Sequence, residues 1–321
     1  MRVTLTGASG MIGTRLVATL RERGDQVTVL SRDPERARAK LEDSTRPAGS
    51  RDGPPAALTL ARWEPVDEQA PSAALEGRDA IVHLAGENIA QRWSASAKRA
   101  ISASRTVGTR RLVGGIEACP ARERPRVLVS SSAIGYYGAH GDEPIDEEAP
   151  AGTGFLAETC ALWESEAQAA QRLGLRVVSV RTGVVLDPGG GALGKMLTPF
   201  RLGAGGPVAG GEQYISWIHV DDLLGIVLAA IDDERWSGPV NATAPAPQTN
   251  RAFSKALGRA LKRPAVLPVP AFALRVMYGE MAEIVTSGAR VLPAQALMLG
   301  YKFRHPDLDG ALRAALGSPS R

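Results

Sequence analysis

Residues 2–30 leave the chain the fewest options. Arg2-Val3-Thr4-Leu5-Thr6 reads as a short buried strand and Gly7-Ala8-Ser9-Gly10 as a tight turn. Met11, Ile12, Leu16, Val17 and Leu20 then recur at helical spacing until Gly24, and Gln26-Val27-Thr28-Val29-Leu30 follows as a second strand. Strand, glycine turn, helix and strand within about 30 residues make a βαβ unit, the context in which a glycine-rich run signals a dinucleotide site. In Thr6-Gly7-Ala8-Ser9-Gly10-Met11-Ile12-Gly13 the glycines are spaced G-x-x-G-x-x-G. Gly7 permits the sharp exit from the strand, Gly10 lets the backbone approach a pyrophosphate, and Gly13 lets helix and strand pack closely. The helix N-terminus supplies free N–H groups and a partial positive charge. Thr6, Gly7, Ser9, Gly10, Met11, Ile12 and Gly13 are therefore the first expected cofactor contacts.

The end of the second strand selects between cofactors. An acidic residue there would bind a ribose 2′-hydroxyl and favour NAD. This chain has Leu30-Ser31-Arg32 instead. The Arg32 guanidinium and the Ser31 hydroxyl suit a 2′-phosphate, so NADP(H) is expected. Asp33, one place further on, is the competing acid.

Strand and helix patterns keep alternating. Polar helix 34–42 is followed by a segment at 43–57 rich in Pro, Gly, Ser and charge, read as a surface loop. Strands are expected at 58–60, 80–85, 126–131 and 175–181, with helices at 94–116 and 155–173. The fold class is thus α/β, a Rossmann-type doubly wound parallel sheet. From about 187 the glycine-rich turns 188–191 and 203–207 interrupt the pattern, and helices are expected at 221–233, 249–261, 271–286, 293–299 and 307–316. The expected division is 1–186, an NADP(H)-binding domain, and 187–321, a smaller, mainly helical substrate region, with some later segments returning to the sheet.

Composition narrows the function classes. The 321 residues are 44% hydrophobic and 22% charged, an ordinary globular balance. No apolar run reaches the roughly 18 residues of a membrane span. The N-terminal apolar stretch is too short for a signal peptide. Two cysteines, Cys119 and Cys160, make no disulfide framework, and no metal-ligand spacing is visible. A net charge of +4 is spread without a basic tract, which argues against nucleic-acid binding. The expectation is a cytoplasmic protein with a small-molecule substrate and neither nucleic acid nor membrane as partner; a homodimer or a protein partner stays open.

Further segments carry a resemblance. IVHLAG (81–86), VLVSSSAIGYYG (127–138), VRTGVVLDPGGG (180–191) and SWIHVDDL (216–223) resemble the extended short-chain dehydrogenase/reductases of the sugar-nucleotide epimerase group. GENIAQRW (86–93), SRTVGTRRLV (104–113), FLAETCALWE (155–164), VPAFALR (269–275), GEMAE (279–283) and GYKFRHPDLDGAL (300–312) resemble an atypical subgroup, the epimerase-family proteins with a DUF1731-type C-terminal domain. The resemblance implies NADP(H) binding and a substrate that it does not name. It extends the expected cofactor contacts to His83, Leu84, Ala85, Gly86, Ser130 and Arg181.

The resemblance also implies a Ser–Tyr–Lys catalytic set, and here the chain departs from it. Ser132 suits the serine. About two dozen residues later, where Tyr-x-x-x-Lys belongs, stands Phe155-Leu156-Ala157-Glu158-Thr159-Cys160. Phenylalanine has no proton to give, and neither Thr159 nor Cys160 replaces a fixed ammonium. Tyr136 and Tyr137 can present a phenol near Ser132, so Ser132 and Tyr136 are the catalytic candidates. Glu158 suits an acid only in a dry site, Cys160 reads as core, and His219 as a helix-starting hydrogen bond. Two functions follow: a putative oxidoreductase or nucleotide-sugar-epimerase-like enzyme, or a non-catalytic NADPH sensor acting through a partner.

Overall fold

A computed structural model of the chain describes residues 1–44 and 57–317. Its core alternates β1 (Arg2–Thr6), α1 (Met11–Glu22), β2 (Gln26–Ser31), α2 (Pro34–Ser44), β3 (Leu58–Arg62), β4 (Ala80–His83), α3 (Ala95–Glu117), β5 (Val127–Ala133), the short β6 (Pro144–Ile145), α4 (Phe155–Gln168) and β7 (Arg176–Thr182). Then come β8 (Val184–Leu186), α5 (Gly191–Arg201), β9 (Tyr214–Ile215), β10 (Trp217–His219), α6 (Val220–Asp232), β11 (Gly238–Ala242), β12 (Gln248–Thr249) and α7 (Asn250–Leu261). The chain closes with α8 (Ala271–Tyr278), α9 (Glu283–Thr286), β13 (Arg290–Val291), α10 (Ala294–Met298) and α11 (Leu308–Ala315).

Seven strands form one sheet in the order β11-β7-β5-β4-β1-β2-β3, every neighbouring pair parallel. Strands buried on both faces favour consecutive apolar residues, and Ala80-Ile81-Val82 of β4 and Val127-Leu128-Val129 of β5 read that way. One face packs Val3, Leu5, Val127 and Val129 against Leu16, Val17 and Leu20 of α1 and Leu223, Ile226 and Val227 of α6. The other face packs Ile81, Leu128 and Val177 against Leu112, Val113 and Ile116 of α3. Strand order reverses between β1 and β4, which opens a crevice above the carboxyl ends of the strands.

After β7 the chain builds a second core: Leu193, Leu197 and Phe200 of α5, Phe253 and Leu257 of α7 and Leu308 and Leu312 of α11 surround Trp217. α6 and β11 nevertheless belong to the main sheet and its covering layer. β11 is absent from the strands expected above. Its sequence Gly-Pro-Val-Asn-Ala has low strand propensity, and an edge position tolerates the proline.

Two expected helices are shorter than their patterns. The 271–286 helix stops at Tyr278, because Gly279 takes a left-handed φ of 63°, and resumes at Glu283. The 155–173 helix tightens to 3-10 geometry over Ala169–Leu173. Most of the segment 43–57, expected as a loop, lies outside the described residues. Among the described residues no helix is long and apolar enough to cross a membrane.

Candidate functional site

The crevice begins at the glycine turn. Gly7 has a φ of 70°, and a Cβ there would lie 2.6 Å from the Leu84 carbonyl carbon and 2.7 Å from Ala85 N. A Cβ on Gly13 would lie 2.3 Å from the Gly7 oxygen. Both positions admit glycine alone, so the backbone itself lines the groove. No side chain caps α1 at Gly10, and its first intrahelical bond is Thr14 N–H to Gly10 O at 2.9 Å. The N–H groups of the first turn therefore remain for an anion. Lys40 of α2 donates to Ser9 O at 2.7 Å and pins the turn from above. Opposite, the turn after β8 meets the loop: a Cβ on Gly190 would lie 3.2 Å from Met11 Sδ. Sequence reasoning missed Lys40, whose polar helix gives no hint that it bends back over the turn.

At the end of β2, Asp33 is engaged in capping. Its Oδ1 accepts the Arg36 N–H at 2.9 Å at the start of α2. The Ser31 hydroxyl donates to Asp33 O at 3.0 Å. Arg32 is exposed and makes no hydrogen bond or ion pair among the described residues. The competing acid is thus engaged and the guanidinium is open.

His83 does not reach the groove. It is fully buried, its Nδ1 2.7 Å from Thr6 Oγ1 and its Nε2 3.0 Å from Thr109 Oγ1. Thr6 Oγ1 also accepts the Ala85 N–H at 3.2 Å. Each ring nitrogen thus has a threonine hydroxyl as its partner, and the imidazole is neutral. Burial, with Arg105 nearby, pushes the His83 pKa down to about 4. The residue expected on the cofactor is instead a strut between β1, β4 and α3. Leu84, Ala85 and Gly86 follow it at the strand end, facing Gly7. Arg105 sits beneath Gly86, with Cζ 3.2 Å from where a Cβ would be, so a side chain there would make the guanidinium give way.

Register places two more of the expected contacts. Across the sheet Thr6, His83, Ser130 and Ser179 are direct neighbours, as are Ser132, Arg181 and Asn241. Neighbours in register share a face, and rows two residues apart lie roughly 6.6 Å apart along the strand. Ser130 therefore belongs to the deeper, His83 row; both serines are buried, at 1% and 3% exposure for Ser130 and Ser132. Arg181 lies in the upper row beside Ser132 and is paired with Glu164 of α4. Its Nε and Nη2 each donate to a Glu164 carboxylate oxygen at 2.8 Å, and its Nη1 donates to Tyr137 OH at 2.9 Å. Burial opposes its charge, but the bonds to Glu164 outweigh burial and hold the guanidinium above its usual range.

Ser132 donates to Glu164 Oε1 at 2.6 Å. Its one proton is committed, so its oxygen can only accept from a ligand. The Tyr137 hydroxyl lies 2.7 Å from Asn241 Oδ1 and, with Arg181 donating to it, gives its proton there. Burial pushes its pKa up to about 12, against the pull of Arg181. Tyr136 differs: its ring lies over the Arg181 guanidinium, 3.5 Å from centroid to Cζ, and its hydroxyl has no hydrogen bond among the described residues. It is the phenol left available beside Ser132. Phe155 stacks edge-on with Trp93 at 5.2 Å, and the Thr159 hydroxyl donates back to Phe155 O at 2.6 Å. Glu158 is exposed. Burial pushes the Cys160 thiol up to about 11.

Glu164, Arg105 and Asn241 went unread in the sequence. Polar residues of one parity inside apolar strands, Ser132, Arg181 and Asn241, were the available signal. Glu164 interrupts the buried stripe Ala157, Cys160, Trp163 and Ala167 of α4. His219 starts α6 as expected, its Nδ1 accepting the Asp221 N–H at 3.1 Å.

Comparison with known proteins gives these features a lineage. Residues 3–241 match the model of the NAD dependent epimerase/dehydratase family, and residues 269–315 match DUF1731, a domain of unknown function. The Arabidopsis thaliana protein named "Epimerase family protein SDR39U1 homolog, chloroplastic" is 40% identical over 316 residues, 98% of this chain and 87% of that one. The crystal structure of human epimerase family protein SDR39U1 (isoform 2) with NADPH is 34% identical, with a TM-score of 0.83 over 99% of both chains. A nucleoside-diphosphate sugar epimerase from Corynebacterium glutamicum is 32% identical, with a TM-score of 0.75, over 99% of this chain but 58% of that one. With the glycine cradle, the parallel sheet and both family models in agreement, the chain belongs to the NAD-dependent epimerase/dehydratase family, in the branch that carries a DUF1731 domain.

Proposed function

We propose that the chain binds NADP(H) across the carboxyl ends of β2, β1, β4 and β5 and acts as an oxidoreductase on a small polar substrate held at Ser132 and Tyr136. The observation that carries the cofactor half is the end of β2, where Asp33 caps α2 and Arg32 stands open. The human relative's NADPH complex supports the same reading. Gly7 and Gly13 leave the backbone cradle clear, and the N–H groups at the start of α1 suit a pyrophosphate. A bound nicotinamide supplies a hydride donor or acceptor.

The protein's part is positioning and proton handling. Ser132, its proton fixed on Glu164, accepts a hydrogen bond from the substrate. Tyr136, resting on Arg181, is the group with a free hydroxyl to give or take the proton. Phe155 and Thr159 take no part in proton transfer. A positioned general acid contributes about 10²–10⁴-fold, so turnover rests on Tyr136.

The cofactor half is tested by titration. A charge-assisted contact contributes about 1.5–3 kcal/mol, so NADPH is expected to bind at least about tenfold more tightly than NADH. Arg32→Glu removes or reverses that preference. Equal curves for both cofactors on the unmutated protein would sink the assignment.

A second reading draws on Phe155 and Thr159: a protein that binds NADPH without turning over and reports it to a partner. Loss of NADPH absorbance on adding a candidate carbonyl substrate, abolished by Tyr136→Phe, supports the enzyme. Tight NADPH binding that alters a partner's affinity without consuming NADPH supports the sensor.

A further inference from the structure

Away from the crevice, the last residue of β10, the first turn of α6 and the segment before α11 converge. We propose that His219, Asp221 and His305 form a binding site for one divalent transition-metal ion of the zinc type. The three residues are separated by one and by 83 intervening residues, so the sequence shows no metal motif; the fold brings them together.

The geometry is specific. His219 Nδ1 lies 3.5 Å and His305 Nε2 3.4 Å from the same oxygen, Asp221 Oδ2. One ligand atom from each residue lies within 4.8 Å of the others. The His305–Asp221 contact is a long hydrogen bond at 3.4 Å, and the His219–Asp221 separation is longer than an ordinary one. They match the edge of a tetrahedron whose centre lies about 2.0–2.1 Å from each ligand, an edge of roughly 3.4 Å. The two imidazole rings lie 3.9 Å apart between centroids, so protonating both would set two cations against one carboxylate. Burial, then the His305 charge, lowers the His219 pKa, which favours the neutral imidazole that metals require.

The surroundings fit a cation. Asp187, Asp221 and Asp222 all act on His219. Of these, Asp187 is neutralised by Arg15, whose Nε and Nη2 donate to it at 2.5 and 2.9 Å. Arg15 also acts on Asp221, so Asp221 and Asp222 stand against one shared guanidinium and the positive end of α6. His305 is held in place from behind: buried Asp222 accepts the Arg304 N–H at 2.7 Å and the His305 N–H at 3.0 Å. His219 is 4% exposed; its other ring nitrogen, Nε2, is buried with no hydrogen-bond partner among the described residues. Its Nδ1 keeps one 3.1 Å bond to the Asp221 N–H, which ligation exchanges for the ion. Two imidazoles and one carboxylate select zinc-like ions over Mg²⁺ or Ca²⁺, and three protein ligands leave a fourth position for water or a ligand atom. A bound ion would tie β10 and α6 to the segment before α11.

The chain has four histidines, which makes the test clean. His83 is buried on Thr6 and Thr109, and His140 is exposed elsewhere. The full chain, stripped with a chelator, is titrated with Co²⁺ by its ligand-field absorbance and with Zn²⁺ by calorimetry. One equivalent is expected, with a tetrahedral-type Co²⁺ band and a rise of at least about 3 °C in the thermal midpoint at a hundredfold excess over Kd. His305→Ala and Asp221→Asn each weaken binding at least about tenfold, and His140→Ala leaves it unchanged. If His305→Ala does not fold, the half-exposed Asp221→Asn carries the test alone. The assignment is overturned if no Co²⁺ band forms, if both site variants bind as the unmutated protein does, or if His140→Ala removes the ion.

Discussion

At the scale of single residues, His83 shows how a polar group in a parallel strand becomes a pH liability. Its ring is enclosed between Thr6 and Thr109, and burial holds its pKa near 4. The folded pKa lies below the unfolded value of about 6.5. The unfolded chain therefore binds the extra proton first, and stability present above pH 6.5 is lost as pH falls toward 4. At about 1.4 kcal/mol per unit, the loss reaches about 3 kcal/mol. Urea unfolding at about pH 7 and about pH 4 is expected to show this drop in the unmutated protein. His83→Gln, which cannot take the proton, is expected to start less stable and to lose about 2–3 kcal/mol less over the same interval. Parallel pH profiles for the two proteins would remove His83 from the account.

At the scale of elements, Asp222 joins the two halves of the molecule. It is fully buried in the first turn of α6 and takes the N–H groups of Arg304 and His305, while the Tyr301 hydroxyl donates to its backbone oxygen at 3.1 Å. Asp222→Asn puts an amide NH₂ where an acceptor is needed, at a cost of about 2–4 kcal/mol. The expected outcome is a lower denaturation midpoint, with faster hydrogen exchange concentrated at residues 301–305. Uniform change across the chain would deny the clamp. Elements of this kind mark the limit of what the sequence disclosed. The β1–α1–β2 unit was legible because glycine spacing, apolar period and strand composition all agree over a short stretch. The break at Gly279 was not, because α8 and the residues after it continue an apolar pattern and only the backbone angle interrupts it. β11 was missed because an edge strand with Gly and Pro draws its structure from its neighbour β7 and not from its own residues. In the site, Ser132 was legible from its place at a strand end. The pairing of Arg181 with Glu164 was not legible, because facing is fixed by cross-strand register with Ser132 and Asn241, which a linear pattern does not display.

At the scale of the molecule, the sheet separates the two jobs. Arg32 stands at the end of β2 and Ser132 on β5, three strand spacings or roughly 14 Å apart. The Ser132–Glu164–Arg181–Tyr137 network faces α4 and shares no residue with the glycine turn or with Arg32. Substitutions more than about 7–10 Å apart with no shared partner act independently. NADPH at a hundredfold excess over Kd stabilises the folded state by about 2.7 kcal/mol, and that gain should survive Ser132→Ala and Tyr136→Phe within about 0.5 kcal/mol. Turnover of any substrate that is found should fall by about 10²-fold or more in Tyr136→Phe. Glu164→Gln belongs to a different class. It breaks a buried ion pair whose side chains are 4% and 5% exposed, and so costs about 3–5 kcal/mol of stability before any effect on chemistry. Glu164→Gln that keeps its stability would mean that Glu164 is not held by Arg181. Tyr136→Phe with undiminished turnover would place the proton donor elsewhere, and loss of the NADPH-induced midpoint shift in Ser132→Ala would show that the cofactor and substrate halves of the crevice are one site.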